Sequence, residues 1–165
     1  MSQRETYMVQ IAGIVRHLPL FEVAPGVRIA IFNMLGDTNV VKAAAAALAE
    51  RLKNTDAQVL VTAEAKSIPL IYEMSALMGM PYIVLRKSYK SYMGSALEAE
   101  TISITTGKRV ILIDDVVSTG STLEGMEIIC DQAQAKVSRV AAVFTEGDSD
   151  WSHIVALGNL PVFND

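Results

Sequence analysis

The chain has 165 residues, 51% of them hydrophobic and 19% charged, which is typical of a single globular domain with a self-sufficient core. Its 14 basic and 18 acidic residues give a net charge of −4, so it lacks the positive charge of a general nucleic-acid or anionic-membrane binder. One cysteine and two histidines are too few for a zinc cluster. No apolar run forms a signal peptide or approaches the ~18 residues of a membrane span. We therefore expect a cytoplasmic protein with no membrane or nucleic-acid partner.

Short β-rich runs alternate with helical stretches along the chain. The runs at 27–32, 58–62, 82–85, 110–113 and 137–144 predict buried parallel strands, because several are apolar almost throughout. Helical periodicity predicts helices over 38–53, 68–78 and 122–134. This alternation predicts an α/β fold with an open, mainly parallel, twisted sheet flanked by helices.

Each predicted helix begins after a strand and has a recognisable start. Asp37 or Thr38 can cap the first helix, Ser67 can open the second, and Ser121 can cap the third. In open parallel sheets, ligands bind where strands end, and the free N–H groups of a helix N-terminus attract anions. The junctions at 64–67 and 114–122 are rich in polar residues, so we expect the chemistry there.

The most informative junction is an acidic pair followed by a small, hydroxylated turn. Four aliphatic residues precede Asp114 and Asp115, and the turn that follows has four hydroxyl side chains around Gly120. Bare N–H and hydroxyl groups favour a phosphate, and paired carboxylates accept hydrogen bonds from a vicinal diol. An ordinary strand-end turn with a helix cap is the structural alternative. A Walker B strand is another, but the chain contains no G-x-x-x-x-G-K-[ST] motif.

The stretch VILIDDVVSTGST at 110–122 resembles the phosphoribosyl pyrophosphate (PRPP) signature of type I phosphoribosyltransferases. The resemblance implies that Asp114 and Asp115 are the catalytic pair. They would bind the ribose hydroxyls and Mg²⁺, directly or through water. The 5-phosphate would be held by the turn that follows, which comprises Val117, Ser118, Thr119, Gly120, Ser121 and Thr122.

Two further segments resemble parts of the same family. EAKSI at 64–68 is similar to the family's pyrophosphate loop, in which a non-proline cis peptide is common; here Lys66 keeps the charge of the family's arginine and Ser67 replaces its glycine. The resemblance implies pyrophosphate contacts from Glu64, Ala65, Lys66, Ser67, Arg86, Lys87 and Lys90, and a lid containing Tyr89 and Lys90. The alternatives are a polar helix cap, strand-end charges in solvent and an exposed loop without a catalytic role.

The beginning of the chain resembles the N-terminal hood of adenine phosphoribosyltransferases, with Val27 and Arg28 as base contacts. The chain is thereby predicted to be one phosphoribosyltransferase domain over 1–165, with a hood over about 1–28. The implied function is a magnesium-dependent purine phosphoribosyltransferase of purine salvage, adenine type first, with PRPP and a purine base as ligands and a homodimeric assembly. The alternatives are a xanthine, hypoxanthine or guanine enzyme and a noncatalytic PRPP-binding regulator.

Overall fold

The computed structural model describes residues 5–86 and 105–164. Within these ranges three helices and nine strands form two sheets. The strands are β1 (Thr6–Ile11), β2 (Ile14–Ala24), β3 (Val27–Ala30), β4 (Val59–Ala63), β5 (Tyr82–Leu85), β6 (Arg109–Val117), β7 (Lys136–Glu146), β8 (Ile154–Leu160) and β9 (Val162–Asn164), and the helices are α1 (Thr38–Leu52), α2 (Ile68–Met78) and α3 (Ser121–Gln132). Of these helices, none is long and apolar enough to cross a membrane.

The larger sheet has five parallel strands in the order β5-β4-β6-β7-β8. Its central strands are buried on both faces, which explains why β4 is apolar except for Thr62 and why four aliphatic residues follow Arg109 in β6. The predicted α/β fold with a mainly parallel sheet is therefore confirmed. Since all five strands run the same way, their carboxyl ends lie along one edge.

The helices cover the two faces of this sheet. Residues of α1 and α2, such as Leu48 and Met74, share a core with Ile111 and Ile113 of β6. Residues of α3 form a second core on the other face, where Cys130 is buried. Burial raises the pKa of the Cys130 thiol to about 11, so the thiol is protonated at neutral pH and belongs to the packing.

The smaller sheet, called the hood sheet here, is antiparallel in the order β1-β2-β3-β9. The prediction of a buried parallel strand at 27–32 is wrong, because that run ends at Ala30 and pairs with β2 and β9 instead. The hood sheet also extends beyond the predicted segment of about 1–28, since it takes β9 from the other end of the sequence. Both ends of the chain therefore build it.

The hood sheet packs against α1 and shares a hydrophobic core with the larger sheet. Val9, Ile11 and Leu18 belong to the same core cluster as Val143 and Leu160. This shared core fixes the hood sheet beside the carboxyl ends of the parallel strands, where the polar junctions lie.

Candidate active site

A cleft of about 630 Å³ lies at the carboxyl edge of the parallel sheet. This volume is within the usual range of small-molecule sites. The cleft is lined by the ends of β4, β6 and β7, by the segments that follow β4 and β6, and by the chain leaving the hood sheet: Ile29, Ala30, Ile31, Phe32, Ala63, Glu64, Ala65, Lys66, Ser67, Asp114, Asp115, Val116, Ser118, Thr122 and Glu146. Most of the residues predicted from the two polar junctions therefore share one cavity.

The acidic pair lies within β6, near its carboxyl end. Asp114 is only 8% exposed and Asp115 is partly buried, yet both line the cleft. The backbone N–H of Asp115 donates to Oδ1 of Asp114 at 2.9 Å, which orients the first carboxylate. Partial burial strengthens the interaction of these carboxylates with hydroxyl groups or with a cation.

The turn after β6 forms a small polar cup of about 50 Å³. All six residues predicted to hold a phosphate line it: Val117, Ser118, Thr119, Gly120, Ser121 and Thr122. Gly120 has φ of +81° and occupies the N-cap position of α3, so the prediction that Ser121 caps this helix is wrong. Ser121 is instead the first helical residue. Gly120 before it has a left-handed conformation, which glycine adopts readily and which lies outside the helix.

Trp151 packs against this turn, a contact that sequence reasoning missed. A Cβ atom at Gly120 would come within 3.0 Å of Cη2 of the Trp151 ring. Glycine is therefore required there for its conformation and also for the close approach of the indole. The contact joins the turn to the connection between β7 and β8, and nothing in the sequence pairs these two distant segments.

The loop after β4 lines the cleft with all four of its predicted residues, Glu64, Ala65, Lys66 and Ser67. The Glu64–Ala65 peptide bond is cis. Lys66 is exposed, whereas Ser67 is buried and its hydroxyl lies 2.8 Å from Oγ1 of Thr62. The loop therefore presents the Lys66 ammonium group toward the cleft, and the hydroxyl of Ser67 attaches the loop to β4.

Of the remaining predicted basic and lid residues, the structure describes only Arg86. Arg86 is exposed directly after β5, and the preceding residue, Leu85, accepts a hydrogen bond from the N–H of Glu64 at 2.9 Å. Arg86 thus follows the strand beside the loop after β4, although it does not line the cleft. Lys87, Tyr89 and Lys90 lie outside the described residues, so their predicted roles stay predictions.

The predicted base contacts Val27 and Arg28 lie in β3 and do not line the cleft. Arg28 instead donates to Oε2 of Glu5, the residue before β1, at 2.6 Å. The cleft is lined by the next four residues, 29–32, called the apolar wall here. The hood therefore does reach the cleft, a few residues further along the chain than the sequence predicted.

Glu146, the last residue of β7, also lines the cleft and was not predicted as a site residue. Its carboxyl group is partly buried, and burial raises its pKa above the ordinary value. The available signal was its position at the end of a predicted parallel strand, next to a glycine.

The donor set fits one kind of magnesium site. Among residues 5–86 and 105–164, no three His, Cys, Asp or Glu side chains cluster to hold a metal ion by themselves. Mg²⁺ is commonly bound through one or two carboxylates together with water and substrate phosphates. Asp114 and Asp115 therefore suit a magnesium ion that arrives with a phosphorylated substrate.

Comparison with known proteins agrees with this geometry. Residues 33–155 match the family model of the phosphoribosyl transferase domain. Because the match covers more than half of the sequence, the chain belongs to this family, and the resemblance predicted from the signature is confirmed.

Curated relatives and solved structures extend the comparison. The purine biosynthesis transcriptional repressor PurR of Bacillus subtilis is 24% identical over 136 residues, which cover 73% of this chain and 48% of the repressor. A hypoxanthine/guanine phosphoribosyltransferase of Methanocella paludicola is 31% identical over 109 residues, 59% of this chain and 57% of that enzyme. The chain thus spans about half the length of these two relatives. An adenine phosphoribosyltransferase of Thermoanaerobacter pseudethanolicus shares the fold, with a TM-score of 0.63 at 16% identity over 94% of this chain and 95% of that one.

Proposed function

We propose that the protein transfers the phosphoribosyl group of PRPP to a purine base, giving a nucleoside monophosphate and pyrophosphate. One observation carries this proposal: a single cleft holds an acidic pair, a hydroxylated helix N-terminus and a loop with a lysine. These three features correspond to the ribose diol, the 5-phosphate and the pyrophosphate of PRPP.

The geometry supports a displacement at the anomeric carbon of the ribose. A ring nitrogen of the base forms the new bond to this carbon as the bond to the pyrophosphate oxygen breaks, and positive charge develops on the ribose. The electron pair of the broken bond leaves with the pyrophosphate, and the proton of the ring nitrogen is released to the pyrophosphate or to water. The carboxylates of Asp114 and Asp115, held at the end of β6, stabilise that charge while they accept hydrogen bonds from the hydroxyls. Lys66 offsets the negative charge of the departing pyrophosphate. Bound Mg²⁺ would neutralise further pyrophosphate charge, with the acidic pair as its protein ligands.

The identity of the base is a finer proposal. The resemblance at the N-terminus favours adenine, whereas hypoxanthine and guanine appear in the name of the archaeal relative. The apolar wall at 29–32 lines the cleft with hydrophobic side chains, which suit any purine ring. We therefore place adenine first and a 6-oxopurine second.

A noncatalytic PRPP-binding regulator is the second candidate. The similarity to a transcriptional repressor over 73% of this chain favours it. A regulator and an enzyme can share the same PRPP site, so the two candidates differ in turnover and not in binding. Pyrophosphate release separates them.

The test is pyrophosphate release from PRPP and Mg²⁺ with adenine, guanine, hypoxanthine, xanthine or orotate offered separately. We expect release with a purine. The double variant Asp114→Asn, Asp115→Asn should abolish release and PRPP binding with little loss of stability, because asparagine keeps the size of each side chain. Asp131→Asn, at an exposed position of α3, is the matched control and should behave as the parent.

PRPP binding without release from any base would favour the regulator. Unchanged PRPP binding in the double variant would instead overturn the assignment of the site.

A further inference from the structure

Besides the acidic pair, two carboxylates of the described residues line the cleft, Glu64 in the loop after β4 and Glu146 at the end of β7, and the proposed transfer gives Glu146 no role at the donor sugar or its phosphates. It lines the main cleft with the acidic pair, but it does not line the polar cup at the start of α3. Its side chain therefore faces a part of the substrate other than the 5-phosphate.

The strand geometry places Glu146 beside the apolar wall. Glu146 and Phe144 are two residues apart in β7, so they project from the same face of the sheet. The ring of Phe144 meets the ring of Phe32 edge to face, with centroids 5.1 Å apart. Since Phe32 is part of the wall, the carboxyl of Glu146 lies next to the surface proposed for the base.

Charge supports the same placement. PRPP carries several negative charges, so a carboxylate against its phosphates would oppose binding. A partly buried carboxylate needs hydrogen-bond donors, because an unpaired buried charge is costly. On the side of the cleft with the apolar wall, the donors available from a purine are its N–H and exocyclic amino groups. Partial burial, which raises the pKa of Glu146, also strengthens each such bond.

We propose that Glu146 is a specificity residue that accepts a hydrogen bond from an exocyclic amino group of the base, so that the site favours aminopurines over purines with an oxo group at that position. A carbonyl oxygen opposite the carboxylate would leave two acceptors facing each other without a proton between them. This inference rests on the proposed function and names the class of base for the same cleft.

The experiment measures product binding, which requires no turnover. Dissociation constants are compared for AMP against IMP and for GMP against XMP, because each pair differs by an amino group in place of an oxo group. In at least one pair, the parent should bind the amino nucleotide about tenfold more tightly, as expected for a hydrogen bond to a charged group. Glu146→Ala should bring that ratio to within about twofold, and Glu146→Lys should invert it, because an ammonium group donates to the oxo oxygen.

Two controls keep the result interpretable. Ribose 5-phosphate lacks a base, so a Glu146 variant that binds it no more weakly than the parent has a folded cleft; removal of the negative charge can only favour this anion. Glu146→Gln, of nearly equal size, replaces any variant that fails this check and should reduce the ratio. Glu127→Ala removes an exposed glutamate of α3 and should keep the parent ratio.

Equal affinities within both pairs for the parent would overturn the inference, and so would a ratio that survives in Glu146→Ala. If nucleotides show the predicted preference while no base supports pyrophosphate release, then the transfer reaction fails and the assignment of Glu146 stands.

Discussion

The small side chain of Ser67 fastens the loop after β4 to the sheet. Its hydroxyl donates to the carbonyl of Ala63 at 3.2 Å and lies 2.8 Å from Oγ1 of Thr62, which in turn donates to the carbonyl of Ile113 at 2.6 Å. Ser67 is 1% exposed, so these bonds are shielded from water. The chain of hydroxyls links the loop to β4 and to the strand that carries the acidic pair.

Replacing this hydroxyl should loosen the loop. We expect Ser67→Ala to lower the free energy of unfolding by about 1 kcal/mol, the usual contribution of a buried hydrogen bond, as measured by urea denaturation. Ser149→Ala, at an exposed position, serves as the control and should leave the stability unchanged. A Ser67→Ala protein as stable as the parent would show that the loop is held by other contacts.

The sequence predicted the position of Ser67 correctly but not the direction of its hydroxyl. The residue does occupy the N-cap position of α2, yet its side chain makes no capping bond. Its partner Thr62 precedes it by five residues, on a strand whose orientation depends on the whole sheet. Local sequence rules cannot decide between a cap and such a tertiary bond.

Among the helices, α1 has the best-defined start. Asp37 accepts a hydrogen bond from the N–H of Val40 at 3.2 Å, as predicted for an N-cap. The same carboxylate accepts two bonds from Arg16 of β2, at 2.7 and 3.1 Å. One side chain therefore caps the helix and ties it to the hood sheet.

Loss of this carboxylate should be measurable. Asp37→Ala should lower the free energy of unfolding at neutral pH by about 1 kcal/mol, the usual cost of a lost N-cap, while Asn39→Ala, at an exposed position in the same turn, serves as the control. Arg16 lowers the pKa of Asp37 below its ordinary value of 3.8, so the carboxylate stabilises the fold above that pH. The difference between parent and Asp37→Ala should shrink as the pH falls below 3.8, and a constant difference would contradict this account.

The helices and strands that could be predicted are those whose residue pattern lies within one continuous segment of the sequence. All three helices and the central parallel strands appear close to their predicted bounds, because long periodic or continuous apolar runs carry their own signal. Strand β9 has three residues and β8 contains Gly158, so neither has a strong strand pattern. Both exist because a neighbouring strand pairs with them.

Across the whole molecule, the hood sheet depends on residues from opposite ends of the sequence. Phe163 of β9 packs edge to face on Tyr7 of β1, with ring centroids 5.4 Å apart, and its backbone pairs with Arg28. The hood sheet therefore closes only when both ends have folded. The apolar wall begins in β3 of this sheet, so the position of the wall depends on the same contact between Phe163 and Tyr7.

We expect Phe163→Ala to lower the stability of the hood sheet by about 1 kcal/mol, the size of an aromatic pair contact. Amide hydrogen exchange should accelerate in β1, β2 and β3, while β4 and β6 keep the protection of the parent. Asn164→Ala, on the same strand but exposed, is the matched control. Equal acceleration in both sheets would show that they unfold as one unit.

The candidate site could be predicted where it lies within a single junction and not where it is assembled from distant segments. The acidic pair, the turn and the loop after β4 each fall within one short stretch of sequence. The apolar wall, Glu146 and Trp151 enter the site through the packing of the hood sheet and of β7, which no local pattern encodes. The homodimer implied by the family resemblance, the cytoplasmic location and the magnesium ion stay predictions.

Trp151 is the single tryptophan of the chain, and its indole lies against Gly120 at the proposed phosphate turn. Indole fluorescence responds to charge and water in its surroundings, and the tryptophan emission of this protein comes from this one side chain beside the candidate active site. Trp151 is thus an intrinsic fluorescent probe of the turn, because an anion that binds there changes the environment of the indole without any added label. The same emission should also change when this part of the protein unfolds.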